Sequence, residues 1–159
     1  MRASIYQAKL ATPFGILGIR TDQGELAEIV FLPRGHSPLS PAEPLAERTC
    51  EQIGRYLEDP GFRFDIPLRP CGTPFQRRVW DQIRNIAPGR TRTYAQLSVC
   101  LGSAPRAVGQ ACGANPFPLV IPCHRVVSST GLGGFAHREE GYLLTIKRWL
   151  LDHERLFER

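Results

Sequence analysis

The sequence contains no run of about 18 apolar residues, the length a bilayer-crossing helix needs. Its opening, MRASIYQAKLATPFG, lacks the basic-then-apolar order of a secretory leader. A cytoplasmic protein without a membrane partner is therefore expected. Cysteine is sparse and odd in number: Cys50, Cys71, Cys100, Cys112 and Cys123. No two form a CxxC pair, which argues against a disulfide framework and against a zinc-finger ligand set. Neither metal nor cofactor is expected. Lysine is almost missing, since Lys9 and Lys147 are the only two among 20 basic residues. Acidic residues are missing from one stretch. Between positions 71 and 125 a single carboxylate, Asp81, faces seven arginines, whereas residues 1–70 hold 8 basic and 9 acidic side chains and residues 126–159 hold five of each. The whole net charge of +5 thus belongs to the middle third. Such a segment is either a solvated basic surface or a face for a polyanion.

What is present fits two small lobes in 159 residues. Residues 1–70 are expected to form a small antiparallel β-sheet lobe with one helix. Ser4–Leu10, Ile16–Arg20 and Leu26–Leu32 are short apolar or alternating runs, separated by Thr12-Pro13-Phe14-Gly15 and Asp22-Gln23-Gly24. Leu45, Cys50, Ile53, Tyr56 and Leu57 mark one face of a helix that stops at Asp59-Pro60-Gly61, and Phe62–Leu68 alternates as a further strand would. Residues 71–159 are expected to be mostly helical. Thr73-Pro74 is an N-cap followed by proline at the first helical position. Thr93 caps a short helix from Tyr94 to Cys100. Leu101-Gly102-Ser103 turns into a second helix over Ala104–Ala114, a helix-turn-helix pattern that many unrelated helical pairs share. The last helix is expected from about Glu140 to Phe157, with Leu143, Leu144, Trp149, Leu150 and Leu156 facing inward.

Of the five thiols, Cys123 has the neighbours of a reactive one. In Ile121-Pro122-Cys123-His124-Arg125-Val126 a base is adjacent and a positive charge follows. A thiolate is a soft, strong nucleophile, but a thiol at its ordinary pKa needs a base or a positive field to become one. Taken alone, a Cys-His pair is far more often a buried cysteine beside a surface histidine than a reactive site.

The wider context is more specific. Thr73-Pro74-Phe75-Gln76, Val79-Trp80, Pro88-Gly89, Thr93-Tyr94, Leu97, Arg106-Ala107-Val108-Gly109, Gly113-Ala114-Asn115-Pro116, Ile121–Val127 and Lys147-Arg148-Trp149-Leu150-Leu151 with His153-Glu154 follow one another in order. This series resembles the O6-alkylguanine-DNA alkyltransferases, also called methylated-DNA–protein-cysteine methyltransferases. The resemblance implies an α+β fold: a ribonuclease H-like N-terminal sheet lobe, then a helical lobe with a winged-helix-like helix-turn-helix. It implies DNA repair by a single irreversible transfer of the alkyl group of O6-alkylguanine, and of O4-alkylthymine, to Cys123. It also implies roles. His124 is the base, acting through a water, and Glu154 holds its tautomer. Asn115 braces the turn carrying the site. Tyr94 donates a hydrogen bond to the departing guanine, and Arg106 fills the stack left by the flipped nucleotide. Thr93, Tyr94, Ala107, Gly109, Gln110 and Gly113 accompany Arg106 at the DNA, in the minor groove. Phe135, Ala136, His137, Val126 and Trp80 wall the alkyl pocket. The partner is double-stranded DNA carrying O6-alkylguanine, bound by a monomer, with cooperativity along DNA an open matter.

The residues agree with this chemistry. The target carbon of a duplex base is reachable only after the nucleotide is extruded, and a planar guanidinium suits the vacated stack. Arg106, Gly109, Gln110 and Gly113 share one helix face at i, i+3, i+4 and i+7. The glycines there fit close approach to DNA or close helix packing. Three departures from the family pattern stand out: a short Leu101–Pro105 turn, Phe135-Ala136-His137 where the family carries a tyrosine and a small residue, and a longer Arg138–Thr145 link. Three rival readings exist: a damage-binding module, which would lack the acceptor cysteine; a thiol hydrolase or oxidoreductase, which would not need Tyr94 and Arg106; and a transcription regulator, which would carry a further domain.

Overall fold

The computed structural model describes residues 5–133 and 141–155, and these divide between two compact units, residues 1–70 and 71–159. In the first unit three strands, β1 (Ala8–Thr12), β2 (Gly15–Asp22) and β3 (Glu25–Phe31), form an antiparallel sheet in the order β1-β2-β3. The first hairpin is tight: Thr12 pairs with Gly15, Thr12 Oγ1 donates to the Gly15 carbonyl at 2.6 Å, and Phe14 N donates back to that hydroxyl at 3.2 Å. This turn pulls the first strand towards Thr12, later than the expected Ser4–Leu10. Leu17, Ile19, Leu26 and Ile29 are buried. Helix α1 (Pro44–Glu58) packs on the sheet through Leu45, Ala46, Ile53 and Tyr56, and Glu43 caps it by accepting from Leu45 N and Ala46 N.

Phe62–Leu68 is not the strand its alternation suggests. The Asp65 N–H donates to Gln52 Oε1, and its carbonyl accepts from Arg48 and Gln52, so the ladder groups are taken by side chains of α1. Pro67 has no N–H to give. Only a single bridge forms, Leu26 to Leu68, with Leu26 N donating to Pro67 O and Arg69 N to Leu26 O. Phe62 and Phe64 meet edge to face instead, and Phe64 packs at a tilt against Tyr56.

The second unit is helical among its described residues: α2 (Pro74–Arg84), α3 (Tyr94–Leu101), α4 (Pro105–Gly113) and α5 (Tyr142–Arg155), with a single 3₁₀ turn at Cys123–Arg125. Thr73 and Thr93 each form a full capping box, with Gln76 and Gln96, which fixes where α2 and α3 start. Gly102, at φ +63°, ends α3 in the left-handed conformation and turns the chain into α4. Val79, Trp80 and Ile83 of α2 meet Val108, Ala111 and Cys112 of α4 in the core, and Trp80 Nε1 donates to the Ala111 carbonyl at 2.9 Å. Two residues on each side, β4 (Arg92–Thr93) and β5 (Val126–Val127), pair in parallel. They tie the start of α3 to the chain just after the Cys123 turn.

Helix α5 buries a different set of side chains from the expected one. Leu143, Ile146, Lys147, Leu150 and Glu154 face inward, while Leu144 and Trp149 are half-buried. Trp149 stacks on His153 one turn later, at 4.9 Å between ring centroids. Leu156 lies outside the described residues. The buried stripe runs at i, i+3, i+4, i+7 and i+11, a helical period that takes a lysine and a glutamate into the interior.

Candidate active site

The site is built around the Cys123–Arg125 turn, all three residues of which are buried. A loop of nine residues, from Ala114 to Pro122, connects it to the end of α4. Asn115 folds this loop: its Oδ1 accepts from Phe117 N at 2.9 Å, and its Nδ2 donates to the Ile121 carbonyl at 2.9 Å and to Cys123 Sγ at 3.2 Å. Leu119 lies within the loop at φ +74°, a conformation that branched side chains adopt rarely and only under constraint. Its own side chain is buried, which supplies that constraint.

Cys123 is 5% exposed. Its thiol is pushed well above the ordinary range, first by a hydrogen bond with the Cys112 thiol and then by burial; the Asn115 amide and the Lys147 charge oppose this without prevailing. The resting sulfur is therefore a neutral thiol, and it needs a base to become a nucleophile.

That base is next to it in the chain. His124 Nε2 and Glu154 Oε2 are 2.6 Å apart, and both side chains are about 1% exposed. Burial would raise the Glu154 carboxyl, but the charge and hydrogen bonds of His124 and Arg125 outweigh it and hold it well below the usual carboxylate range. Arg125 grips the same carboxylate with two prongs, Nε to Oε1 at 2.8 Å and Nη2 to Oε2 at 3.0 Å, and its Nη1 donates to the Ile86 carbonyl at 2.7 Å. Burial lowers the His124 pKa, with Arg125 and Lys147 adding to the effect and Glu154 opposing it. The imidazole is thus neutral near pH 7. Its Nδ1 is buried with no hydrogen-bond partner among the described residues.

Tyr94 begins α3 and is enclosed from three sides. Gly109 of α4 lies against its ring. Gly133 leaves room for it: a Cβ there would come within 2.7 Å of Tyr94 Cε2 and 3.0 Å of its hydroxyl. The Lys147 ammonium stands 5.9 Å from the ring centroid. Lys147 is fully buried, donates to the Val126 carbonyl at 2.7 Å and has its pKa lowered to about 8 by burial. Arg106 and Gln110 are exposed on α4, and Ala107, Gly109 and Gly113 are half-exposed, opposite the buried Val108, Ala111 and Cys112. Thr93 is spent on the cap of α3.

Most of the residues singled out in the sequence gather here. Cys123, His124, Glu154, Asn115 and Val126 surround the turn, and Tyr94 stands beside Lys147, which is bound to Val126. Trp80 lies in the α2–α4 core with its nitrogen satisfied by Ala111, so its place is explained by packing. Phe135, Ala136 and His137 lie outside the described residues. Three participants were missed. Arg125, read as a positive field for the sulfur, is bound to Glu154 instead. Cys112 is the neighbouring thiol that raises the Cys123 pKa most. Lys147 was passed over, although it is one of only two lysines and falls on the apolar stripe of α5, which was the available signal. No group of three or more histidine, cysteine or acidic side chains suited to a metal occurs among the described residues, and no described helix is long and apolar enough to cross a membrane.

Residues 74–156 match the family described as 6-O-methylguanine DNA methyltransferase, DNA binding domain. A "Probable methylated-DNA--protein-cysteine methyltransferase" of Acanthamoeba polyphaga mimivirus is 50% identical over 151 residues, covering 92% of this chain and 94% of that protein. The methylated-DNA–protein-cysteine methyltransferase of Salmonella typhimurium is 49% identical over 171 residues, with 94% and 95% covered. Among solved structures, Mycobacterium tuberculosis OGT in complex with DNA superposes with a TM-score of 0.76 at 30% identity, covering 93% of this chain and 92% of that one.

Proposed function

We propose a DNA-repair function for this chain, which belongs to the 6-O-methylguanine DNA methyltransferase family: it transfers the alkyl group of O6-alkylguanine in DNA to its own Cys123. The observation that carries the reading is the Cys123–Arg125 turn, which sets a buried sulfur against Asn115 and, one residue on, a neutral imidazole against a buried carboxylate. In this reading the Cys123 thiol gives its proton to His124, directly or through one water, and the thiolate attacks the alkyl carbon. The S–C bond forms as the C–O6 bond breaks. The guanine leaves with the electron pair and regains a proton, helped by the Tyr94 hydroxyl, so that the proton taken by His124 and the one gained by guanine balance. The thioether is stable, so each molecule acts once, without a cofactor.

DNA is the partner. The exposed face of α4 offers a guanidinium flanked by half-exposed small residues, which suits close approach to the minor groove and occupation of the gap left by a flipped nucleotide. We assign Arg106 to that gap and place Thr93, Tyr94, Ala107, Gly109, Gln110 and Gly113 beside it. The chain acts as a cytoplasmic monomer, and O4-alkylthymine is a second substrate; Phe135–His137 set the range of alkyl groups. Single-turnover transfer from a duplex and from the free modified base tests the assignment. Arg106→Ala is expected to slow the first far more than the second, whereas equal losses contradict it. Cys123→Ala is expected to bind damaged duplex without accepting an alkyl group.

A further inference from the structure

We propose that Arg125 is a positioning residue for this transfer, which through Glu154 keeps the lone pair of His124 on Nδ1. The inference rests on the reading of Cys123 as alkyl acceptor and His124 as its base. The sequence suggested that Arg125 would lend positive charge to the sulfur. The geometry points it elsewhere: its Nε and Nη2 donate to Glu154 and its Nη1 to the Ile86 carbonyl.

Glu154 Oε1 receives Arg125 Nε, and Oε2 receives both Arg125 Nη2 and His124 Nε2. A guanidinium does not give up its protons in a protein, so those N–H groups always donate. A proton on either carboxyl oxygen would have to share that oxygen with an arginine donor. Glu154 is therefore a pure acceptor, and His124 Nε2 must carry the proton it donates. A neutral imidazole has one N–H and one lone pair, so the lone pair is on Nδ1, the buried atom that no described residue binds. That is the atom able to receive a proton from the sulfur. Ile86 closes the arrangement, since its carbonyl, two residues beyond α2, holds the outer nitrogen and stops the guanidinium from swinging away.

Removing the charge of Arg125 leaves a buried pair with an uncompensated negative charge, and such a pair binds a proton. The proton has two places to go. On His124 it makes an imidazolium with no lone pair. On Glu154 it turns the carboxyl into a donor towards Nε2, and the imidazole proton moves to Nδ1. Both outcomes take the lone pair from the nitrogen that serves the sulfur. The other charged groups near the pair are placed differently: Lys147, from the same helix as Glu154, is bound to the Val126 carbonyl, and Arg90 and Arg155 line a cavity that Glu154 also borders, whereas Arg125 reaches both carboxylate oxygens and the Ile86 carbonyl just beyond α2.

The test combines nitrogen-15 NMR of the histidine rings with single-turnover transfer from an O6-methylguanine duplex across pH. In the wild-type protein His124 is expected neutral, with its proton on Nε2, at pH 7; an Nδ1–H tautomer or an imidazolium there overturns the proposal. Arg125→Met is expected to move the acid limb of the rate profile upward by about one pH unit or more, with roughly ten-fold or greater loss at pH 7. Arg125→Lys keeps the charge and is expected to hold that limb near the wild-type position. A lowered plateau with an unmoved limb in Arg125→Met, or equal shifts in Met and Lys, overturns the proposal. If Arg125→Met does not fold, Arg125→Gln replaces it, and the wild-type tautomer remains a test needing no variant. A wild-type protein with the Nε2–H tautomer whose Cys123 stays unalkylated refutes the transfer reading instead, and the two failures are told apart.

Discussion

Asn115 and Cys123, eight residues apart, are joined by a 3.2 Å contact between the amide nitrogen and the sulfur. Both ends of the amide are engaged. One oxygen serves Phe117 N, and one nitrogen serves both the Ile121 carbonyl and the sulfur. Asn115 thus folds the loop and offers the sulfur a donor whose bond strengthens as the thiol becomes a thiolate. Asn115→Ala is expected to destabilise the protein by about 2–3 kcal/mol, the order of a few lost buried hydrogen bonds. Transfer should slow as well, even where the variant is folded. Urea midpoints and single-turnover rates read the two effects. A variant with wild-type transfer would show that Asn115 is only a loop brace.

Gly133 allows Tyr94 to sit where it does. Its φ of +74° is one that alanine adopts only with strain, and an added Cβ would lie 2.7 Å from the Tyr94 ring. Gly133→Ala is expected to displace the phenol and slow transfer by roughly as much as Tyr94→Phe does, since both remove the same hydroxyl from the same place. Adding the two substitutions together should then cost little more than either alone. Independent, multiplying losses would contradict the shared cause.

The buried charges set how stability depends on pH. His124 has its pKa lowered in the folded protein, so below about pH 6.5 the unfolded chain binds the proton more readily and stability falls. Glu154 is held below its ordinary range, so its contribution is complete above about pH 4.3 and is lost as pH falls further. At the alkaline end Lys147 acts in the opposite sense to a salt-bridged lysine. With a folded pKa of about 8, its burial costs stability below that value, and the cost fades as pH rises towards about 10.4. Urea midpoints measured from pH 4 to 10 are expected to show an acid loss starting near pH ~6.5 that Glu154→Gln reshapes. They should also show an alkaline gain absent from Lys147→Met. A flat wild-type curve above pH 8 would show that Lys147 is not a buried ammonium.

Much of this is legible in the sequence. The capping pairs Thr73–Gln76 and Thr93–Gln96 and the proline-led helix starts give the helices of the second unit from local chemistry, and two-residue turns give the sheet. Cys123 and His124 are adjacent in the chain and could be named together. Glu154 could not be read from spacing: it lies 30 residues beyond His124 and was reached through the family pattern. Arg125 and Lys147 escaped because charge reads as solvent-facing unless the opposite buried charge or carbonyl is known. Here Glu154 and the Val126 carbonyl, contributed by other elements, are what make burial possible. Phe62–Leu68 misled for the reverse reason. Its alternation is that of a strand, but α1 side chains capture its backbone.

The central claim is that Cys123 accepts the alkyl group. Incubation with a duplex containing one O6-methylguanine, followed by intact-protein and peptide mass spectrometry, tests it most directly. The account predicts a gain of one methyl mass per protein molecule, found on the peptide containing Cys123 and on no peptide carrying Cys50, Cys71, Cys100 or Cys112. Tight binding to the damaged duplex with an unmodified Cys123 would contradict it and leave a protein that recognises the lesion without repairing it.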